Sequence, residues 1–177
     1  MIVSELLLLE FDDEMKKTRS TLERVPADKG DFAPHPKSMP LGRLAALVAQ
    51  LAGFGASVLT VPELDFAKIN YKPVKMESPA QLIRILDEGA ADARKALAAA
   101  PDAAWKENWK LIGQGQTLFE GTRFLAYREM FLNHLVHHRA QLGVYLRMNG
   151  QLVPAIYGPS ADETLGFQPQ ASSGSHR

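Results

Sequence analysis

Leu41, Leu44, Leu47, Leu51, Phe54 and Val58 fall on one stripe at helical spacing, and Ala45, Ala46 and Ala49 leave the opposite face small and apolar. A helix that is apolar on both faces has no side to turn to water. It belongs at the centre of a packed domain, and the rest of the chain must supply what surrounds it. Ser38 and Pro40 mark its entry.

Three further helices are legible. The first runs from about Ser4 to Arg24, with Leu8, Phe11, Met15 and Leu22 at 3.6-type positions, and Pro26 and the segment 28–36 end it. Ser78-Pro79 caps a helix that continues to about Ala99 and closes at Pro101-Asp102. The last starts near Gly121-Thr122 and runs to about Arg147, with Asn149-Gly150 as its stop. Between them, Val61 to Ser78 reads as a long irregular connection containing Pro62 and Pro73. Trp105 to Glu120, with Gly113-Gln114-Gly115 at its middle, reads as a two-stranded ribbon. Val153 to Glu163 is an ordered loop. The expectation is an all-α four-helix bundle over residues 1–167, with a small irregular or two-stranded insertion between helices three and four and a disordered tail at 168–177.

The bulk numbers exclude several function classes. Twenty basic and twenty acidic residues balance, with no block of like charge, which argues against a polyphosphate groove and hence against nucleic acid as partner. Cysteine is absent, so any thiolate must arrive with a substrate. A chain of 177 residues buries a sufficient core without a structural ion, so a metal here would serve function. The N-terminus has no basic leader, and no stretch of about 18 uninterrupted apolar residues occurs, so the expectation is a cytoplasmic protein without a membrane span.

Three of the five histidines lie in Asn133-His134-Leu135-Val136-His137-His138-Arg139. On a helix His134 and His138 sit about 40° apart around the axis, close enough for two imidazoles to hold one ion. The same side carries Tyr127, Met130, Phe131, Gln141 and Tyr145, the composition of a pocket lining with polar groups at its middle. An isolated pair of this kind is as often two hydrogen-bonded core histidines as a site. His137 lies about 60° to the other side. Arg139 is either a solvated cation or a receptor for an anionic group.

The run from Asn133 to Leu142, with Tyr145-Leu146-Arg147, Val153-Pro154 and Tyr157-Gly158-Pro159-Ser160-Ala161-Asp162-Glu163, closely resembles the DinB-like family of bacterial four-helix proteins. His35-Pro36-Lys37-Ser38-Met39 and Leu41-Gly42-Arg43-Leu44 resemble that family's entry to helix two. The resemblance implies a homodimeric bundle with a divalent metal (zinc, nickel or iron) on three histidines, one from helix two and an HxxxH pair from helix four. By position the pair is His134 and His138, and the helix-two ligand falls at position 47, which holds Leu47. Leucine cannot ligate, and two imidazoles alone leave metal affinity low and geometry loose. His35, Gln50, Glu10 and Asp13 are the replacement donors that can be named.

Three readings follow. One is a metal-dependent thiol transferase or hydrolase with an incomplete histidine site, acting on a low-molecular-weight thiol, with Gln141 orienting a ligand and Arg139 or Tyr157 touching substrate; Leu47 and Tyr145 complete the candidate pocket. The second is a metal-free protein that binds a small apolar or anionic molecule without turnover. The third is a stress-associated dimer with no catalytic activity.

Overall fold

The computed structural model describes residues 2–69 and 71–164. The expected disordered tail at 168–177 lies outside the described residues. Helices α1 (Val3–Leu22), α2 (Leu41–Thr60) and α3 (Pro79–Ala99) stand close to their expected bounds. The start of α3 has a local cause. Ser78 Oγ accepts the Gln81 amide at 3.2 Å and Pro79 occupies the first turn, which together fix the entry to α3.

Helix α2 is central, packing most extensively on α3 and also on α5 (His134–Met148). Both of its faces are buried, with Leu44, Leu51 and Val58 on one side and Ala45, Ala46 and Ala49 on the other. It is long and apolar enough to cross a membrane, but 61% of its most apolar window lies inside the bundle. The approach of α2 to α3 depends on two glycines. A Cβ on Gly89 would stand 2.7 Å from the backbone nitrogen of Gly53, so no larger residue fits without moving a helix.

Two expectations are corrected. The insertion is a three-stranded sheet in the order β1 (Glu63–Asp65), β2 (Asn108–Gly113), β3 (Gln116–Thr122), with β1 parallel and β3 antiparallel to β2. Thus the chain is mostly helical with a small sheet. Three-residue β1 lies inside the segment read as irregular, too short to show a period. The β2–β3 turn uses Gln114 and Gly115 at φ 52° and 72°, the left-handed pair that a tight hairpin requires. Trp109 of β2 is fully buried against Phe54 of α2, ring centroids 6.0 Å apart, and this anchors the sheet to the bundle.

The fourth helix is also not continuous. It opens as the short α4 (Arg123–Ala126), passes through a π-helical segment at Tyr127–Asn133, and only then becomes α5. A π-helical turn holds one residue more than an α-turn, so it rotates everything after it. The packing that accompanies it is aromatic. Tyr127 and Phe131 are fully buried, 5.1 Å apart at their centroids, against Trp105 and Phe11. The Phe131 ring lies over Gly55, where a Cβ would approach it to 2.7 Å.

Replacing Gly89 by alanine should destabilise the fold by about 1–3 kcal/mol through overpacking, outweighing the roughly 1 kcal/mol gained in helix propensity. Urea denaturation of the variant measures this; equal or greater stability than the wild type would show that α2 and α3 separate freely.

Candidate functional site

Helix α5 starts at His134 and carries the histidine cluster on its first turns. His134 and His138 are both half-buried, and their Nε2 atoms lie 2.8 Å apart. His138 Nδ1 is 2.8 Å from Gln141 Oε1, and His134 Nδ1 is 3.4 Å from the Met130 carbonyl. Gln141 Nε2 lies 3.1 Å from Nε2 of exposed His137, so a single chain of polar contacts links three imidazoles through one amide.

The proton count of this chain decides its charge. A ring nitrogen that faces an oxygen must donate to it. Protons on both Nδ1 atoms leave two Nε2 lone pairs facing each other, which requires one positive charge between them. Turning the Gln141 amide end for end removes that requirement. Its NH2 then donates to His138 Nδ1, its oxygen accepts from His137, and His138 Nε2–H donates to His134 Nε2, with every ring neutral. Burial pushes both His134 and His138 below the usual imidazole range, each also repelled by a neighbouring imidazole, and this favours the neutral pattern.

The donor set does not fit a resident divalent ion. Zinc takes nitrogen at about 2.0–2.1 Å, so a tetrahedral pair would stand about 3.3 Å apart, and the rings would have to part by about 0.5 Å. More decisively, among the described residues no three His, Asp or Glu side chains are placed to share an ion. Leu47 is half-buried and packs against the core. The replacement donors are engaged elsewhere. His35 accepts the Lys37 amide at 3.1 Å, Gln50 accepts the Val74 amide at 3.4 Å, Glu10 pairs with Arg128, and Asp13 with Lys17.

His138 and Gln141 open onto a cleft of about 480 Å³ between α5, the start of α2 and the loop before it. Its apolar walls are Pro34, Met39, Leu44, Val144 and Tyr145; Lys37 and Ser38 complete its polar side. Tyr145 lines the same cleft as His138 and Gln141.

Arg139 and Tyr157 are placed differently. The Arg139 guanidinium is 3% exposed, between α1 and α5, where it pairs with Glu14 at 2.6 Å. It also donates to the Glu14 carbonyl and Thr18 Oγ1 at 3.1 Å each, and to the Tyr157 hydroxyl at 2.7 Å. Tyr157 in turn donates to the Glu14 carboxylate at 2.8 Å. The ring of Tyr157 is largely exposed, but its hydroxyl enters the buried node, and burial with the adjoining Glu14 pushes its pKa up to about 12. Arg139 is thus buried and not solvated, its guanidinium taken up by Glu14, Thr18 and Tyr157, and both Arg139 and Tyr157 also line a cleft of about 420 Å³ between α5 and the following loop. Sequence reading missed Glu14, Thr18 and Lys37. For the first two a signal existed, because they interrupt the apolar stripe of Phe11 and Leu22 at core-facing positions.

A helical bundle with a small sheet, and a paired-imidazole centre on its last helix beside a cleft, defines the class of protein. A family model described as the DinB family matches residues 1–170, and the chain belongs to that family. Solved structures agree on the fold. A DinB-like protein from Bacillus cereus superposes with a TM-score of 0.64 at 18% identity, covering 85% of this chain and 95% of that one. A DinB-like protein from Bacillus subtilis gives 0.65 at 17% identity, over 84% and 96%. A protein assigned to the DinB family from Exiguobacterium sibiricum gives 0.59 at 20%, over 85% and 94%. No curated protein matches the sequence.

Removing one member of a buried ion pair strands the other charge, at a cost of about 3–5 kcal/mol. Glu14→Met and Arg139→Met should each destabilise by about that much. The double variant should recover a large part of the loss, and strictly additive losses in a double-mutant cycle would show that the two do not interact.

Proposed function

We propose that this DinB-family chain is a cytoplasmic small-molecule binding protein whose central cleft works through the paired imidazoles of His134 and His138 without a resident metal ion. The observation that carries the reading is the 2.8 Å contact between the two Nε2 atoms, with Leu47 at the position where the family resemblance calls for a third ligand. The imidazoles satisfy each other, and the edge formed by His138 and Gln141 faces the cleft. A bound molecule meets neutral hydrogen-bonding groups there rather than a Lewis acid.

One observation favours the metal-dependent alternative, a thiol transferase or hydrolase. Both Nδ1 atoms face oxygens, the outer arrangement that metal-bound histidines adopt. Metal analysis of protein purified without an affinity tag decides between the two. The expected result is far less than one equivalent of zinc, nickel or iron in the wild type. Leu47→His should raise zinc affinity by at least a factor of about ten by supplying a third imidazole. One tightly held equivalent in the wild type, lost in His138→Ala, would overturn the metal-free reading.

The protein acts as a homodimer on this reading. Val144, Met148, Leu152 and Tyr157 are exposed around an apolar cleft of about 420 Å³ between α5 and the loop at Val153–Tyr157, a face suited to a second copy. Light scattering after gel filtration should give a dimer for the wild type and a monomer for Val144→Glu/Met148→Glu. A monomeric wild type at tens of micromolar would sink this part of the proposal.

A further inference from the structure

The cleft beside His138 contains one formal charge, and that charge is positive. Lys37 lines it together with Ser38, His138 and Gln141, and no carboxylate is among its lining residues. Among the described residues, no carboxylate lies within ion-pair distance of the Lys37 ammonium, whereas Lys17 and Lys68 each have two. The two arginines of α5 are engaged elsewhere, Arg139 with Glu14 and Arg147 with Asp162. The rest of the lining, Pro34 and Met39 before α2, Leu44 on α2, and Val144 and Tyr145 on α5, is an apolar wall with one aromatic ring. A volume of about 480 Å³ lies within the usual range for a drug-sized ligand.

From this juxtaposition we propose that the ligand class is an amphipathic monoanion, a molecule with one carboxylate or similar acidic group on an apolar body. The acidic group sits between the Lys37 ammonium, the Ser38 hydroxyl and the His138–Gln141 edge. The body lies on Met39, Leu44, Val144 and Tyr145. The wall excludes polyanions, because a second charge on the body would be placed against apolar side chains without a partner. The ligand needs no thiol, since neither the wall nor the polar edge holds a group that recognises sulfur. This inference rests on the metal-free cleft proposed above, and it names what that cleft selects.

The test uses two probes of the same shape, 4-phenylbutyrate and 4-phenylbutan-1-ol, titrated into the full-length isotopically labelled protein and followed through the side-chain resonances of His138 and Gln141. The expected result is that both probes shift those resonances, and that the carboxylate binds about fivefold more tightly, as a partly exposed ion pair allows. The advantage should shrink with added salt. It should vanish in Lys37→Met, persist in Lys37→Arg, and leave the affinity for the alcohol unchanged in both. Equal affinities for the two probes, or a carboxylate preference that survives Lys37→Met, would overturn the assignment of the anion while leaving the cleft intact. If neither probe moves the His138 and Gln141 resonances at millimolar concentration, the cleft reading itself fails, and the ligand class with it.

Discussion

The buried pair of Arg139 and Glu14 fixes how the last helix is turned, and the site depends on that rotation. Arg139 follows His138 in the chain, so the two side chains leave α5 about 100° apart. With the guanidinium held between α1 and α5 by a carboxylate, a carbonyl, a threonine hydroxyl and a phenol, His138 has no choice but to face the start of α2. Such a pair adds little net stability against an apolar replacement of the same volume, because desolvating two charges offsets most of their attraction. What it supplies here is registry. A helix secured only by leucines can roll by a few tens of degrees at small cost, whereas a roll of α5 would break the ion pair with Glu14 and three hydrogen bonds of a largely buried guanidinium.

The same rotation has a second contributor. The π-helical segment inserts one residue between α4 and α5, so the positions before and after it do not share one uninterrupted helical stripe. This explains why the 100° stepping from His134 succeeds downstream and loses meaning upstream. Gln141 and Tyr145 accompany His138 at the cleft, but Tyr127 and Phe131 turn into the aromatic core with Trp105 and Phe11. Tyr127 enters that core with its hydroxyl unpartnered, a local loss accepted where a ring of that size fills the space.

Legibility in the sequence follows from which physical signals are local. The helices of a bundle announce themselves through spacing, capping and proline, and α2 and α3 stand within a residue or two of where those signals place them. The imidazole pair was equally visible, because an i, i+4 relation needs nothing beyond helix geometry. The strand β1 was not visible, since three residues define no period and its pairing partner is more than forty positions away. Arg139 shows the limit most clearly. A solvated arginine and a buried one look identical in a sequence, and only the polar interruption at Glu14 and Thr18, on the otherwise apolar face of α1, hinted that a charge had to be met there. The insertion of one residue into the fourth helix leaves no compositional trace at all.

Where the family resemblance implies a third imidazole, at position 47, this chain has leucine. An ion held by three imidazoles would orient each ring through its own bond, and with no third donor the two remaining rings must find other partners or stay unsatisfied at a half-buried position. The contact between His134 and His138 meets that need, and Gln141 completes it at the outer end. On the metal-free reading the hydrogen-bonded pair is neutral, in the direction that burial favours. At the rim of the cleft one amide can present either a donor or an acceptor to His138, and among the described lining residues Lys37 carries the one formal charge. On the metal-free reading proposed above, selection by charge and shape at that rim would require no Lewis acid and would rest on residues before α2 that have no part in the histidine motif.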